Sequence, residues 1–138
     1  MICAAAGGNI PLIDYFLQKG ASSYNSALGA AGQYSNLNTV KYLITKGADD
    51  YGRLFEDSSL GGNLEVMKFA LDELKKGDFE INAKLGGIAL HRATQNGHLD
   101  TIKFLIENGL RIVPSDIQYA ESEGKYDIAE YLKQFIEN

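Results

Sequence analysis

One pattern, written five times, limits what this chain can become. An apolar residue that opens a helical stripe stands at Met1, Leu28, Phe55, Leu90 and Ile117, with spacings of 27, 27, 35 and 27 residues. Seven residues after each comes a turn residue: Gly8, Ser35, Gly62, Gly97 or Gly124. Two further on, Ile10, Leu37, Leu64, Leu99 or Tyr126 leads into a second stripe, and an aromatic follows at a fixed offset as Tyr15, Tyr42, Phe69, Phe104 or Tyr131. A unit of this size cannot bury its own apolar face, so copies must stack on one another.

The copy in residues 86–109, GGIALHRATQNGHLDTIKFLIENG, shows the unit most clearly. Two stripes, 88–95 and 99–106, flank Asn96-Gly97-His98. Leu99, Ile102, Leu105 and Ile106 fall on one helical face. Ala89 and Ala93 keep the first stripe slim enough for a close neighbour. Second stripes end at Lys19-Gly20, Lys46-Gly47, Lys76-Gly77 and Asn108-Gly109; the lysines favour the negative end of a helix dipole and glycine stops the helix. The third copy has three extra residues in its second stripe, a projection of about 4.5 Å at the helical rise. The pattern predicts an all-α solenoid of five antiparallel helix pairs. Their approximate bounds are 1–21, 22–48, 49–77, 78–110 and 111–138, held together by the aromatic and aliphatic ladder of the second helices.

Composition excludes several classes. With 45% hydrophobic residues the chain can bury a core, and its net charge of −5 opposes binding to nucleic acid, which needs clustered Lys and Arg. Cys3 is the only cysteine, so no internal disulfide or zinc-finger spacing exists and a reducing compartment is expected. No apolar run approaches the roughly 18 residues of a membrane span, and no signal peptide is visible. Gly7-Gly8, Gly61-Gly62 and Gly86-Gly87 lack the Gly-Lys-Ser/Thr of a phosphate loop. No nucleophile–base pair, metal cluster or cofactor motif stands at diagnostic spacing. The reading is of a chain that is not an enzyme.

Leu90-His91-Arg92-Ala93, then Asn96-Gly97-His98-Leu99, then Glu107-Asn108-Gly109, resembles the ankyrin repeat with its T-P-L-H-x-A run. Ile88 and Ala89 replace the Thr and Pro of that run. An ankyrin repeat runs about 33 residues because a β-turn finger joins successive helix pairs. Here only the stretch from Gly77 to Leu90 has room for one. Asp78-Phe79-Glu80-Ile81-Asn82-Ala83 resembles the start of such a finger and Gly86-Gly87 would supply its turn, which makes 78–87 the expected break in the stack. Short-loop arrays of this kind are similar to ankyrin proteins of giant viruses and some intracellular bacteria. That likeness implies a cytoplasmic protein, or the host cytosol for a viral or secreted one.

The resemblance also implies protein binding along the concave side, by the fingers and the exposed ends of the first helices. Carried over by position, the helix sites are the two residues before each turn residue, and the partner-binding residues expected from these and from the finger are Gln33, Tyr34, Leu60, Lys84, Leu85, Gln95 and Asn96. Tyr34 and Leu60 are the expected anchors, since an aromatic with an aliphatic side chain at exposed sites forms an anchor of the kind that dominates interfaces. His91 and His98, and Asn9, Asn36 and Asn63 at the place of His98, are expected to brace turns. Tyr24 and Tyr51 are expected to stack in neighbouring loops. The last copy carries Glu121, Glu123, Lys125, Asp127, Glu130 and Lys133 and reads as a polar cap, whereas residues 1–6 are almost wholly apolar. That asymmetry predicts a fragment of a longer array or a first face that packs on something. The chain is then a monomer or associates weakly with itself through its first repeat, and a structural or self-associating array is the alternative to a partner-binding module.

Overall fold

A computed structural model describes residues 1–76 and 83–136. Ten helices make five pairs among these residues: α1 (Ile2–Ala6) with α2 (Ile10–Gln18), α3 (Tyr24–Tyr34) with α4 (Leu37–Thr45), α5 (Tyr51–Gly61) with α6 (Leu64–Lys75), α7 (Ala83–Gln95) with α8 (Leu99–Glu107), and α9 (Pro114–Ser122) with α10 (Tyr126–Lys133). The architecture is the all-α solenoid that the repeat spacing predicts.

The turn inside each pair is built the same way four times. Gly8, Gly62, Gly97 and Gly124 take φ near +70°, a left-handed conformation that a side chain would strain. The next residue's N–H then reaches back to close the first helix, as Asn9 N to Ala4 O, Asn63 N to Ser58 O, His98 N to Ala93 O and Lys125 N to Ala120 O. Asn9, Asn36 and Asn63 cap the second helices, their Oδ1 atoms accepting from the N–H of Leu12, Thr39 and Val66. That is the bracing expected of them. His98 makes no such cap bond. Its ring instead lies over Gly62, where an added Cβ would stand 2.6 Å from Nδ1.

Each pair contributes to one continuous core. Leu28, Phe55 and Leu90 of the first helices are buried with Ile13, Val40, Leu43, Met67, Ile102, Leu105 and Leu132 of the second. The backbones come closest in the first helices, α1 on α3, α3 on α5 and α5 on α7, whereas α7 and α9, and likewise α4, α6 and α8, stand further apart. The expected ladder of second helices is carried by side chains across that gap, as Tyr42 on Asp14, Lys41 on Phe69 and Lys103 on Tyr131. Small residues let the first helices close: Gly61 comes so near α3 that a Cβ would lie 2.1 Å from the Gln33 carbonyl oxygen. The Ser59 hydroxyl donates to the Ala89 carbonyl across the next joint at 2.5 Å.

Three local expectations change. Helix α7 already begins at Ala83, so Gly86 and Gly87 are helical and supply no finger turn. The expected finger residues 78–82 lie outside the described residues, and α5 and α7 on either side pack directly, so no break separates the first-helix layer there. Tyr24 and Tyr51 open α3 and α5 instead of standing in loops. The longer second helix of the third pair is present, with α6 at 12 residues against 9 for α4.

Candidate partner-binding face

The first helices turn one face to the core and expose the other. The C-terminal ends of three consecutive first helices place Gln33 and Tyr34, Leu60, and Gln95 with Asn96 at one edge of this exposed face. Tyr34 is 67% exposed. Leu60 and Gln33 are half-buried. Asn96 is committed in part to structure, because its Nδ2 donates to the Leu60 carbonyl at 2.8 Å across the joint.

Lys84 and Leu85 do not join this group. Both lie in the first turn of α7, at the opposite end from Gln95 and Asn96. Lys84 is exposed, but Leu85 is 9% exposed and belongs to the core, which removes it from any binding surface. The reading failed there because a helix, not a finger, occupies residues from 83 onward.

Further along the same first helices lies a charged cleft of about 450 Å³ lined by Asp50, Gly52, Arg53, Glu56, Asp57 and Arg92. Asp57 is its hub. Arg53 Nε lies 3.4 Å from Asp57 Oδ2 within α5, and Arg92 Nη1 reaches 4.0 Å from Oδ1 across the joint from α7. Gly29 of α3 leaves the room: a Cβ there would stand 2.2 Å from Asp57 Oδ2. Partial burial lifts the Glu56 carboxyl above its ordinary value; Asp57 and Asp50 add to the rise, while Arg92 and Arg53 oppose it. Arg92 Nε is buried without a hydrogen-bond partner.

The next joint is polar too. His91 stacks on Tyr119 with centroids 4.3 Å apart, and its Nε2 lies 3.5 Å from Oδ1 of the buried Asp116. Asp116 Oδ2 also accepts from the Val113 N–H at 2.9 Å, at the start of α9. His91 therefore braces a joint between pairs, not a turn. Among the described residues no group of three or more His, Cys, Asp or Glu is placed to hold a metal.

Comparison with known proteins decides what kind of array this is. A family model described as ankyrin repeats, in three copies, matches residues 55–137, more than half of the chain. The chain belongs to the ankyrin repeat family. Inversin of Danio rerio is similar, at 39% identity over 56 residues, which is 41% of this chain and 6% of inversin. The chain thus spans a small part of that relative's length. Ankyrin repeats are in general protein-interaction modules.

Sequence reasoning missed the cleft and the His91–Asp116 contact. Their partners lie in different copies, as in Asp57 with Arg92 and His91 with Asp116. The signal was present in the repeat columns: Asp57, Arg92 and Tyr119 share one column, and Glu56, His91 and Gln118 the adjacent one. Reading down the first column sets Asp57 beside Arg92, whereas Asp116 lies in neither column.

Proposed function

We propose that this ankyrin array binds a partner protein along the exposed face of its first helices and performs no catalysis. Tyr34 anchors the contact, with Gln33, Leu60, Gln95 and Asn96 around it, and Lys84 marks the far end of α7. The observation that carries the reading is Tyr34: an aromatic side chain held at a helix end with most of its surface in solvent has a large area to bury and loses little rotamer freedom. The protein works in the cytosol; no described helix is long and apolar enough to cross a membrane, and Cys3 stands exposed as a free thiol.

Affinity capture from the native cell, or from the host cell for a viral or bacterial source, tests this with three baits. The wild type and Lys46→Ala, beside Tyr24 at the other end of α3 from Tyr34, are expected to retain the same partner. Tyr34→Ala combined with Leu60→Ala is expected to lose it while keeping the helical circular-dichroism signal. Retention by the double variant, with loss on Lys46→Ala, would overturn the assignment of the face.

A further inference from the structure

We infer that the partner taken by the first-helix face presents an arginine side chain, which enters the charged cleft on α5 and α7 and lies against Glu56. The inference rests on the proposed binding face and adds the chemistry that this face selects.

The cleft stays open because consecutive joints fill the same columns differently. Between α7 and α9 the two columns are closed by the His91 ring stacked on Tyr119. In α3 the column of Glu56 and His91 holds Gly29. The Asp57 carboxylate leans into that vacancy, so that a Cβ on Gly29 would stand 2.2 Å from its Oδ2, and Arg92 reaches toward Asp57 across the joint. What remains is the space of about 450 Å³ on the N-terminal half of α5, with Asp50, Gly52 and Glu56 in its wall.

The charges around this space do not cancel. Asp57 is shared by Arg53 at 3.4 Å and Arg92 at 4.0 Å. Asp50 caps α5 by accepting from the Arg53 N–H, and Asp49 beside it accepts from Asn25. Glu56, half-buried, makes no ion pair or side-chain hydrogen bond among the described residues. Three carboxylates thus face two guanidiniums, while Lys84, exposed in the first turn of α7, and His91, stacked on Tyr119, stand outside the lining. Burial first, then Asp57 and Asp50, lift the Glu56 carboxyl above its ordinary value against the pull of Arg92 and Arg53. A cation beside it completes the compensation that those two arginines leave unfinished.

The shape of the lining selects the cation. Among the described residues no three acidic, His or Cys side chains converge to hold a metal. An arginine head spreads five N–H donors over a rigid plane and reaches separate acceptors, whereas lysine brings a point charge. Position agrees as well. Glu56 and Leu60 stand four residues apart on one face of α5, about 6 Å along its axis. An apolar residue two places from the arginine in an extended partner segment, about 7 Å away, therefore meets the Tyr34 and Leu60 edge while the arginine fills the cleft.

Amide NMR shifts of the full chain test this, at about 0.15 M salt so that distant charges are screened. The probe is a short blocked glycine peptide with one central arginine; its counterparts carry citrulline, which keeps the shape without the charge, or glutamate. The arginine peptide should shift the amides of Gly52, Arg53, Glu56 and Arg92 saturably, and the other two should not. Glu56→Gln should weaken the arginine peptide about five- to tenfold, between the worth of a surface ion pair and that of a charged hydrogen bond. Equal saturation by the citrulline peptide, or arginine binding undiminished in Glu56→Gln, would overturn the inference. So would saturation by the glutamate peptide alone, which would mean that Arg53 and Arg92 take a carboxylate of the partner. The probe needs no native partner. An arginine peptide that fails while Tyr34→Ala with Leu60→Ala still loses the captured partner strikes the arginine and leaves the face; the reverse pair of results strikes the face and leaves the cleft.

Discussion

The two layers of this solenoid are built on opposite principles. First helices meet through residues with almost no side chain: Ala31, Gly32, Ser59, Gly61, Ala89 and Ala93. Second helices bring bulk, with Val40, Leu43, Met67, Ile102 and Leu105 turned inward, and bridge their outer gaps with lysines over rings. The first-helix side of the stack is therefore the slimmer of the two. The same small residues that close the first-helix layer thus also shape the face proposed to bind a partner.

The comparison can be broken at either layer. Leu105→Ala opens a cavity in the bulky layer and is expected to cost roughly 2–5 kcal/mol; an unchanged urea midpoint would mean that second helices are only a shell. Gly61→Ala puts a methyl against the Gln33 backbone and is expected to cost about 1–3 kcal/mol by overpacking, again read from the urea midpoint. Gly87→Ala makes the same chemical change where nothing lies within 4 Å, inside α7. It is expected to raise stability by about 0.5–1 kcal/mol through helix propensity. Destabilisation there would restore the finger turn that the sequence first implied.

The smallest effect concerns Glu56. Its folded carboxyl titrates above the ordinary value, with burial as the leading cause. The proton-bound form is the one the fold prefers, so this contribution is complete below the unfolded pKa and is lost as pH rises through the folded value. Glu56→Gln should therefore be slightly more stable than wild type at neutral pH. The difference should fade in acid, as measured by thermal melts at several pH values.

Much of this was legible because it is local. A helix stop needs its glycine beside it, and a cap needs Asn three residues before the N–H it accepts from, so Asn9, Asn36, Asn63 and the turn glycines could be read directly. What escaped was the choice between uses of one residue type. Gly86-Gly87 reads equally as a turn or as slim helix, and only the surrounding packing decides. Apolar periodicity likewise names the buried face of a helix but not the helix it meets, which is why the close approach of the first helices went unseen. Tyr34 was placed by counting from Ser35, whereas Asp57–Arg92 needed two copies read together.

The ring contacts carry one more consequence. Asp14 accepts from the Tyr42 hydroxyl, which only a tyrosine supplies, whereas Lys41 and Lys103 lie over the rings of Phe69 and Tyr131. Moving the fourth pair next to the first would press the Phe104 face on a carboxylate, whose charge the ring repels. The order of the copies is thus written into their borders, and a shuffled gene encoding the same five units would specify a poorer protein.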